Sequence, residues 1–325
     1  MARYYLSDQG ANLPVSSEIT GYGASALAYF YQRTGETAYL QAAVRNARFL
    51  AGPAWDAANN TYPFEPGSDR AYFFDIGIIA RGLMAVSRIA AEPLFAQRAQ
   101  EAAISLGFDF LGDSAFYTVI GLPDKQPLPE EPRWSRKPGC FQLKSALIWR
   151  EIGGEHGDRM FHVALAMALA THETFLVDPD EEKMMDRLHA YCYFLEALLS
   201  ATDQPEARAA LAWGIDRAGA LLRQIAPVFE RSDVNAQLLR VRLIAHHTGV
   251  VNLDAAAAAE EAAQTAAFQT ESSDPRTNGG FWFGRKGDSI LPFSNPVSTA
   301  FCAQALALWD DHKQGQWDFS LVQLI

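Results

Sequence analysis

YFFDIGIIARGLMAVSRIAAEPLFAQRAQEAAISLGFDFL, residues 72–111, is where the fold becomes readable. Within it Gly77, Leu83, Glu92, Phe95 and Ala99 repeat Gly21, Leu27, Glu36, Tyr39 and Ala43 at one constant offset. The offset survives the turn between two amphipathic segments, which chance similarity has no reason to do, so the chain contains an internal repeat. Each copy reads as a helical hairpin. In the first, Ala24, Leu27, Ala28 and Tyr31 fall at helical spacing from about 18 to 33. Thr34-Gly35 stops that helix, and a second runs from about 36 to 50 before Gly52-Pro53 ends it. The second copy covers about 72 to 90 and 93 to 111, with Pro93 in a first turn, where its missing N–H is no loss.

Working outward, the same alternation predicts helices at about 139–151, 158–175, 181–200, 206–225, 234–247, 254–268 and 297–309. The 254–268 segment is rich in alanine, the best helix former. First members of the pairs are apolar nearly all round, as in Ile76-Gly77-Ile78-Ile79-Ala80 and Ala300-Phe301-Cys302-Ala303. Second members carry charge on one face, as in Gln41-Ala42-Ala43-Val44-Arg45-Asn46-Ala47-Arg48. A helix apolar all round is buried and one with a polar stripe meets water. Inner and outer helices that alternate along the chain describe a two-layered ring. The expected fold is therefore all-α, an (α/α)6 toroid, with residues 1–325 as a single domain.

Three long irregular segments, at about 54–70, 112–138 and 270–296, interrupt the hairpins. Loops of this length in a compact fold are functional or disordered. Trp55, Tyr62, Phe64, Trp134, Phe281 and Trp282 within them favour packing.

Composition narrows the partners. Of the 325 residues, 49% are hydrophobic and 20% charged, the profile of a protein with a large core. A net charge of -11 disfavours binding to a phosphate backbone, so nucleic acid is not an expected partner. No run of about 18 apolar residues exists to cross a bilayer. The opening Met1-Ala2-Arg3-Tyr4-Tyr5-Leu6-Ser7-Asp8 lacks the apolar stretch of a signal peptide, which predicts a cytoplasmic protein. Cys140, Cys192 and Cys302 are dispersed and odd in number, as reduced, buried thiols would be. Neither zinc-ligand spacing nor a dinucleotide or phosphate loop is present, so no metal or cofactor is expected.

Several patches resemble a known family. They are Glu18-Ile19-Thr20-Gly21-Tyr22, the turn Arg33-Thr34-Gly35-Glu36-Thr37-Ala38-Tyr39-Leu40, and Phe74-Asp75-Ile76-Gly77. Later in the chain come Gly279-Gly280-Phe281-Trp282-Phe283-Gly284 and Asn295-Pro296-Val297-Ser298-Thr299-Ala300-Phe301. Together they resemble the six-hairpin glycosidase-like α/α toroids of bacteria, including members tied to polysaccharide metabolism. That resemblance implies a central cavity and chemistry on sugars, as in glycoside hydrolases, unsaturated-uronide hydrolases, sugar epimerases and polysaccharide lyases. It does not choose among them, since a fold hosts many reactions.

In a ring of this kind, polar residues on the loops that enter inner helices are the candidates. Glycoside hydrolysis uses two carboxyl groups, one donating a proton and one acting as base or nucleophile. Asp75, between Phe74 and Ile76 at the head of an inner helix, is the first candidate, and Asp233 in Arg231-Ser232-Asp233-Val234-Asn235-Ala236-Gln237 its partner. Glu18 is the third. Each also reads as a helix-capping or first-turn acid. For sugar binding the candidates are Tyr22, Trp134, His189, Gln237, Trp282, Arg285 and Asn295, with aromatic rings offered to the apolar face of a pyranose. A sugar or oligosaccharide is the expected ligand. Epimerisation or isomerisation, with His189 moving the proton, is the alternative chemistry, because imidazole titrates near neutrality. A binding or scaffold protein without catalysis is the alternative outside enzymes.

Overall fold

The computed structural model describes residues 1–113, 115–131, 133–178 and 180–325. The helices predicted from periodicity are present, with ends displaced by a few residues. They are α1 (Ser17–Thr34), α2 (Thr37–Ala51), α3 (Phe73–Ser87), α4 (Pro93–Asp109), α5 (Leu143–Ile152), α6 (Gly154–Phe175), α7 (Glu181–Leu198), α8 (Pro205–Ile225), α9 (Ser232–His247), α10 (Ala255–Ala267) and α11 (Pro296–Gln314). Short strands join them: β1 (Tyr5–Leu6), β2 (Ala11–Asn12), β3 (Arg70–Tyr72), β4 (Val119–Gly121), β5 (Phe229–Arg231), β6 (Gly284–Lys286), β7 (Ser289–Ile290) and β8 (Phe293–Ser294). Among the described residues no helix is long and apolar enough to cross a membrane.

Burial follows the predicted alternation. In α2 only Ala43, Ala47, Leu50 and Ala51 are buried, a single stripe. In α9 every residue from Ser232 to Ala245 is buried. The repeated Glu36 and Glu92 occupy the same position in both hairpins, the N-caps of α2 and α4.

The chain packs as two compact units. The first comprises Met1–Ala2, Val15–Thr171 and Val322–Ile325; the second comprises Arg3–Pro14 and His172–Leu321.

In the first unit α1 packs on α2 and α3, and α3 on α4 and α5. The repeated glycine explains the close approach of successive helices. A Cβ on Gly21 would lie 2.9 Å from Ile79 Cα, and one on Gly77 would lie 2.6 Å from Ser145 Cα. Backbone cannot retreat from such a contact as a flexible side chain can. Gly77→Ala is therefore expected to lower stability by about 1–3 kcal/mol, the range for overpacked cores, read as a reduced midpoint in urea. An unchanged midpoint would show that α3 and α5 can part at no cost. The loop at 54–70 is packed: the Tyr62 hydroxyl donates to the Leu50 carbonyl at 3.0 Å, and the Arg98 guanidinium covers Trp55 at 4.4 Å. Strands β3 and β4 pair antiparallel, Ala71 opposite Ile120. Lys144, fully buried, donates to the Ile325 carbonyl at 2.8 Å.

In the second unit α7 packs on α8 and α9, and α9 on α10 and α11. α9 is buried on all sides yet carries Arg240 and Arg242. Arg240 donates to Glu196 of α7 and, at 2.8 Å, to Gln304 of α11, while its guanidinium lies 4.1 Å from the Phe301 ring centre. Arg242 makes two hydrogen bonds to Glu261 of α10, at 2.8 and 3.1 Å. The charge is admitted because each guanidinium meets a carboxylate with directional hydrogen bonds. All three cysteines are buried and unpaired, as expected, and burial pushes each thiol up.

Candidate active site

The site begins at a strand-to-helix junction. β5 pairs antiparallel with β6, Arg231 opposite Gly284, and the chain then turns into α9. A Cβ on Gly284 would collide with the Glu230 carbonyl, so only glycine lets the strands meet there. Arg231 holds the N-cap position of α9 in extended conformation (φ -115°, ψ 132°) without a side-chain cap. The Ser232 hydroxyl instead ties the junction to the loop, donating to the Trp282 carbonyl at 2.7 Å. Asp233, two residues into the helix, sits where the positive end of the helix favours an anion.

That aspartate is not a cap. Arg231 grips it with two bonds, Nε to Oδ1 at 3.0 Å and Nη2 to Oδ2 at 2.8 Å. The Ser298 hydroxyl of α11 adds a third bond at 3.0 Å. Burial alone would raise this carboxyl, but the Arg231 guanidinium outweighs it and holds Asp233 below the ordinary carboxylate range. Arg231 also donates through Nη1 to Asp186 of α7 at 2.7 Å and covers the Phe283 ring at 4.5 Å.

His189 completes the cluster. Its Nδ1 lies 2.7 Å from Gln237 Oε1 and 3.8 Å from Asp233 Oδ2. Gln237 follows Asp233 by one helical turn, so one face of α9 presents both groups. The imidazole meets the Tyr193 ring edge-on at 4.7 Å. Burial first, and the Arg231 guanidinium second, push His189 down to about 4. The side chain keeps 12% exposure and that of Asp186 keeps 49%, so the cluster is open on the α7 side.

This imidazole should leave a mark on stability. The unfolded chain takes up the proton near pH 6.5 and the folded chain only near 4, so between those values the unfolded state binds more protons. Stability therefore falls as pH drops through that window, by about 3 kcal/mol in total, and the effect is absent above it. His189→Gln is expected to flatten that part of the profile in urea titrations from pH 7 to 4. A variant that follows the parent curve would show that another group carries the dependence.

No protein-family model matches the chain, and no curated protein matches it in sequence. Solved structures do match in shape. A cellobiose 2-epimerase from Spirochaeta thermophila aligns with a TM-score of 0.70 at 12% identity, over 92% of this chain and 87% of that one. A D-mannose isomerase aligns at 0.64 and 9% identity, over 94% and 91%. An unsaturated glucuronyl hydrolase from a Bacillus species aligns at 0.67 and 13% identity, over 97% and 91%. The fold is the α/α toroid. At such identities the likeness is one of architecture, the architecture of the six-hairpin glycosidase-like proteins.

Within this toroid the predicted site residues fall into groups. Asp233, His189 and Gln237 come together as described. Asn295 serves as the N-cap of α11, its Oδ1 accepting from Val297 N–H at 2.7 Å, and so fixes the turn that carries Ser298. Trp282 takes part through its backbone carbonyl. Arg285 lies on β6 and pairs with Glu230 at 2.7 Å; Glu230 and Arg231 are successive strand residues and point to opposite faces.

Glu18, Tyr22, Asp75 and Trp134 belong to the first unit. Ser16 caps α1 there by accepting from Ile19 N–H at 3.3 Å, leaving Glu18 as a half-buried first-turn acid, and Tyr22 is 2% exposed. Asp75 is a half-buried acid in the first turn of α3, where Tyr72 and not Asp75 holds the cap position. Burial raises the Tyr72 phenol, Arg136 lowers it, and the Asp75 charge raises it further, which places the acid beside a phenol that Arg136 covers at 4.9 Å. Trp134 packs edge-on against Phe141 at 5.2 Å.

Asp186 and Tyr193 were not among the residues singled out. The spacing Asp186, His189, Tyr193 puts them on one helical face, a signal available once His189 is chosen. Among the described residues no three His, Cys, Asp or Glu side chains converge as metal ligands.

Proposed function

We propose that the protein acts on sugars and moves a proton at the carbon next to a carbonyl, as an aldose–ketose isomerase does, with His189 as the base. The observation that carries this reading is the state of His189. With Gln237 Oε1 as acceptor, Nδ1 holds the ring proton and Nε2 keeps its lone pair.

The chemistry is then direct. Nε2 takes the proton from C2 of an open-chain aldose. The C–H electron pair forms the C1–C2 double bond, and the carbonyl oxygen becomes an enediolate oxygen. Arg231 uses three of the guanidinium's five N–H groups on Asp233 and Asp186, which leaves donors for that oxygen. Asp233 steadies the imidazolium that forms; the C2 hydroxyl proton passes to O1, and as the imidazolium returns its proton to C1 the C2–O bond becomes the carbonyl of the ketose. One base serves both transfers because they occur on one face, whereas epimerisation needs a second group on the opposite face. This is why isomerisation is preferred over epimerisation here. The shape likeness to a D-mannose isomerase and a cellobiose 2-epimerase supports sugar chemistry of this kind.

Solvent exchange tests it. D-mannose, D-glucose, D-fructose and cellobiose are incubated with the protein in deuterium oxide and followed by NMR. Deuterium appearing at C2 of an aldose or at C1 of a ketose supports the proposal.

A second reading, hydrolysis of a glycosidic bond, rests on Asp75. It is a half-buried acid in the first turn of α3, with Glu18 in the first turn of neighbouring α1 as the other carboxyl. Asp233, held ionised by Arg231, is a stabilising charge in that reading rather than a proton donor. Release of reducing ends from oligosaccharides, without deuterium exchange and lost in Asp75→Asn, would replace the isomerase proposal with this one.

A further inference from the structure

Beside β5, away from His189, the second unit contains a cavity of about 270 Å³. Leu222, Ala226 and Pro227, at the end of α8, give it an apolar wall. Opposite lie the charged side chains of α10 and of the β5–β6 pair. Their arrangement is what gives the cavity meaning.

Three carboxylates meet three guanidiniums there. Arg223 binds Glu260 at 2.8 Å, Arg242 binds Glu261 at 2.8 Å, and Arg285 lies 2.7 Å from Glu230. Arg242 stands behind the lining residue Glu261, and with it the charges of the cluster sum to zero; the lining itself is densely supplied with donors and acceptors. A charged ligand would break one of these pairs or face a like charge, and leaving one member of a buried pair alone is costly. A neutral ligand that both donates and accepts meets no such obstacle.

Glu230 supplies the acceptor side. It is 1% exposed, and its Oε1 accepts from Asn235 Nδ2 at 2.9 Å. Its Oε2 is buried and, despite the nearby Arg285, makes no hydrogen bond among the described residues. A buried carboxylate oxygen in that condition has unused accepting capacity. At the opening, Arg223 and Arg285 keep side-chain exposures of 41% and 39%, which leaves their remaining N–H groups to a ligand's oxygens. A hydroxyl donates one proton and accepts through two lone pairs, so a row of hydroxyls satisfies both sides.

We infer that this cavity is a second sugar-binding site, which takes a neutral, hydroxyl-rich ring with its apolar C–H face on Ala226 and Pro227. The inference goes beyond the reaction proposed at His189 and does not require it. The two places share no lining residue, since Glu230 and Arg231 point to opposite faces of β5.

Crystals of the parent protein, Ala226→Phe, Arg285→Gln and His189→Gln are soaked in D-glucose, and D-glucose affinity is measured in parallel by NMR titration. D-glucuronate and D-glucosamine serve as charged probes. Expected are glucose density in the cavity of the parent and of His189→Gln, none in Ala226→Phe, and binding about tenfold weaker or worse in Arg285→Gln. The charged probes bind less well than glucose. Should Ala226→Phe fail to fold, Arg285→Gln carries the test. Glucose density only beside His189, or none at all, overturns the second site, as does tighter binding of either charged probe. Density beside His189 alone leaves the proposed function standing, and density in the cavity alone leaves this inference standing without it.

Discussion

Glu196→Ala is expected to cost about 3–5 kcal/mol of folding stability, the range for breaking a buried ion pair by removing one partner. Glu196 and Arg240 have side chains with no exposure at all. Arg240 would keep Gln304 and the Phe301 ring but lose its only carboxylate partner among the described residues, in a place water does not reach. The cost is that of leaving a charge unpaired, not the net worth of the pair. A double variant, Glu196→Leu with Arg240→Met, separates the two: it should recover much of the loss, because apolar side chains of similar size are tolerated where an unpaired charge is not. Urea denaturation of the parent, the single and the double variant measures this. A single variant within about 0.5 kcal/mol of the parent, the range of ordinary surface changes, would mean that Arg240 finds solvent or another partner.

His189→Gln is expected to lower turnover on the responsive sugar by about 10² to 10⁴, the usual contribution of a positioned acid–base group. Glutamine is close in size and can keep a hydrogen bond to Gln237, so the fold should persist. The loss should fall on turnover more than on KM, since the proton moves in the chemical step and not on binding. Deuterium exchange at C2 should fall in parallel. Retained exchange in this variant would remove His189 as the base and direct attention to Asp75 and Glu18. Asp233→Asn provides a contrast. It leaves Arg231 without its bidentate anion, so it should impair folding as well as turnover, whereas His189→Gln affects turnover with little loss of stability at neutral pH.

How much of this was legible beforehand differs between fold and site. The hairpins were, because helix periodicity and stop signals such as Thr34-Gly35 and Gly52-Pro53 are local. The repeat of Gly21 in Gly77 had a tertiary cause, the close approach of successive helices, and was detectable because the cause recurs. The acids were legible as helix-head residues, but their bonding partners were not. Asp233 looked like a cap or an acid; Arg231 with Ser298 keeps it ionised, which suits the base or nucleophile of a carboxyl pair and not its proton donor. Asp75 looked like a cap, and Tyr72 has that position. Arg231 and Asp233 lie on either side of a strand-to-helix junction, where neither the strand period nor the helix period spans both residues, so nothing local announced their bidentate bond.

What the sequence by itself determined is therefore the succession of helical hairpins, which helices are buried, and the expectation of a toroid. Those depend on short-range repetition of apolar residues, glycines and caps. Only the tertiary structure decided which charges are neutralised and by whom. Arg240 meets Glu196 across 44 residues, and His189 meets Gln237 across 48. The physical reason is that a polar residue in a helix carries the same local signal whether it faces water or a buried partner. Electrostatic fate, and with it the protonation state on which chemistry depends, is set by neighbours that only folding supplies.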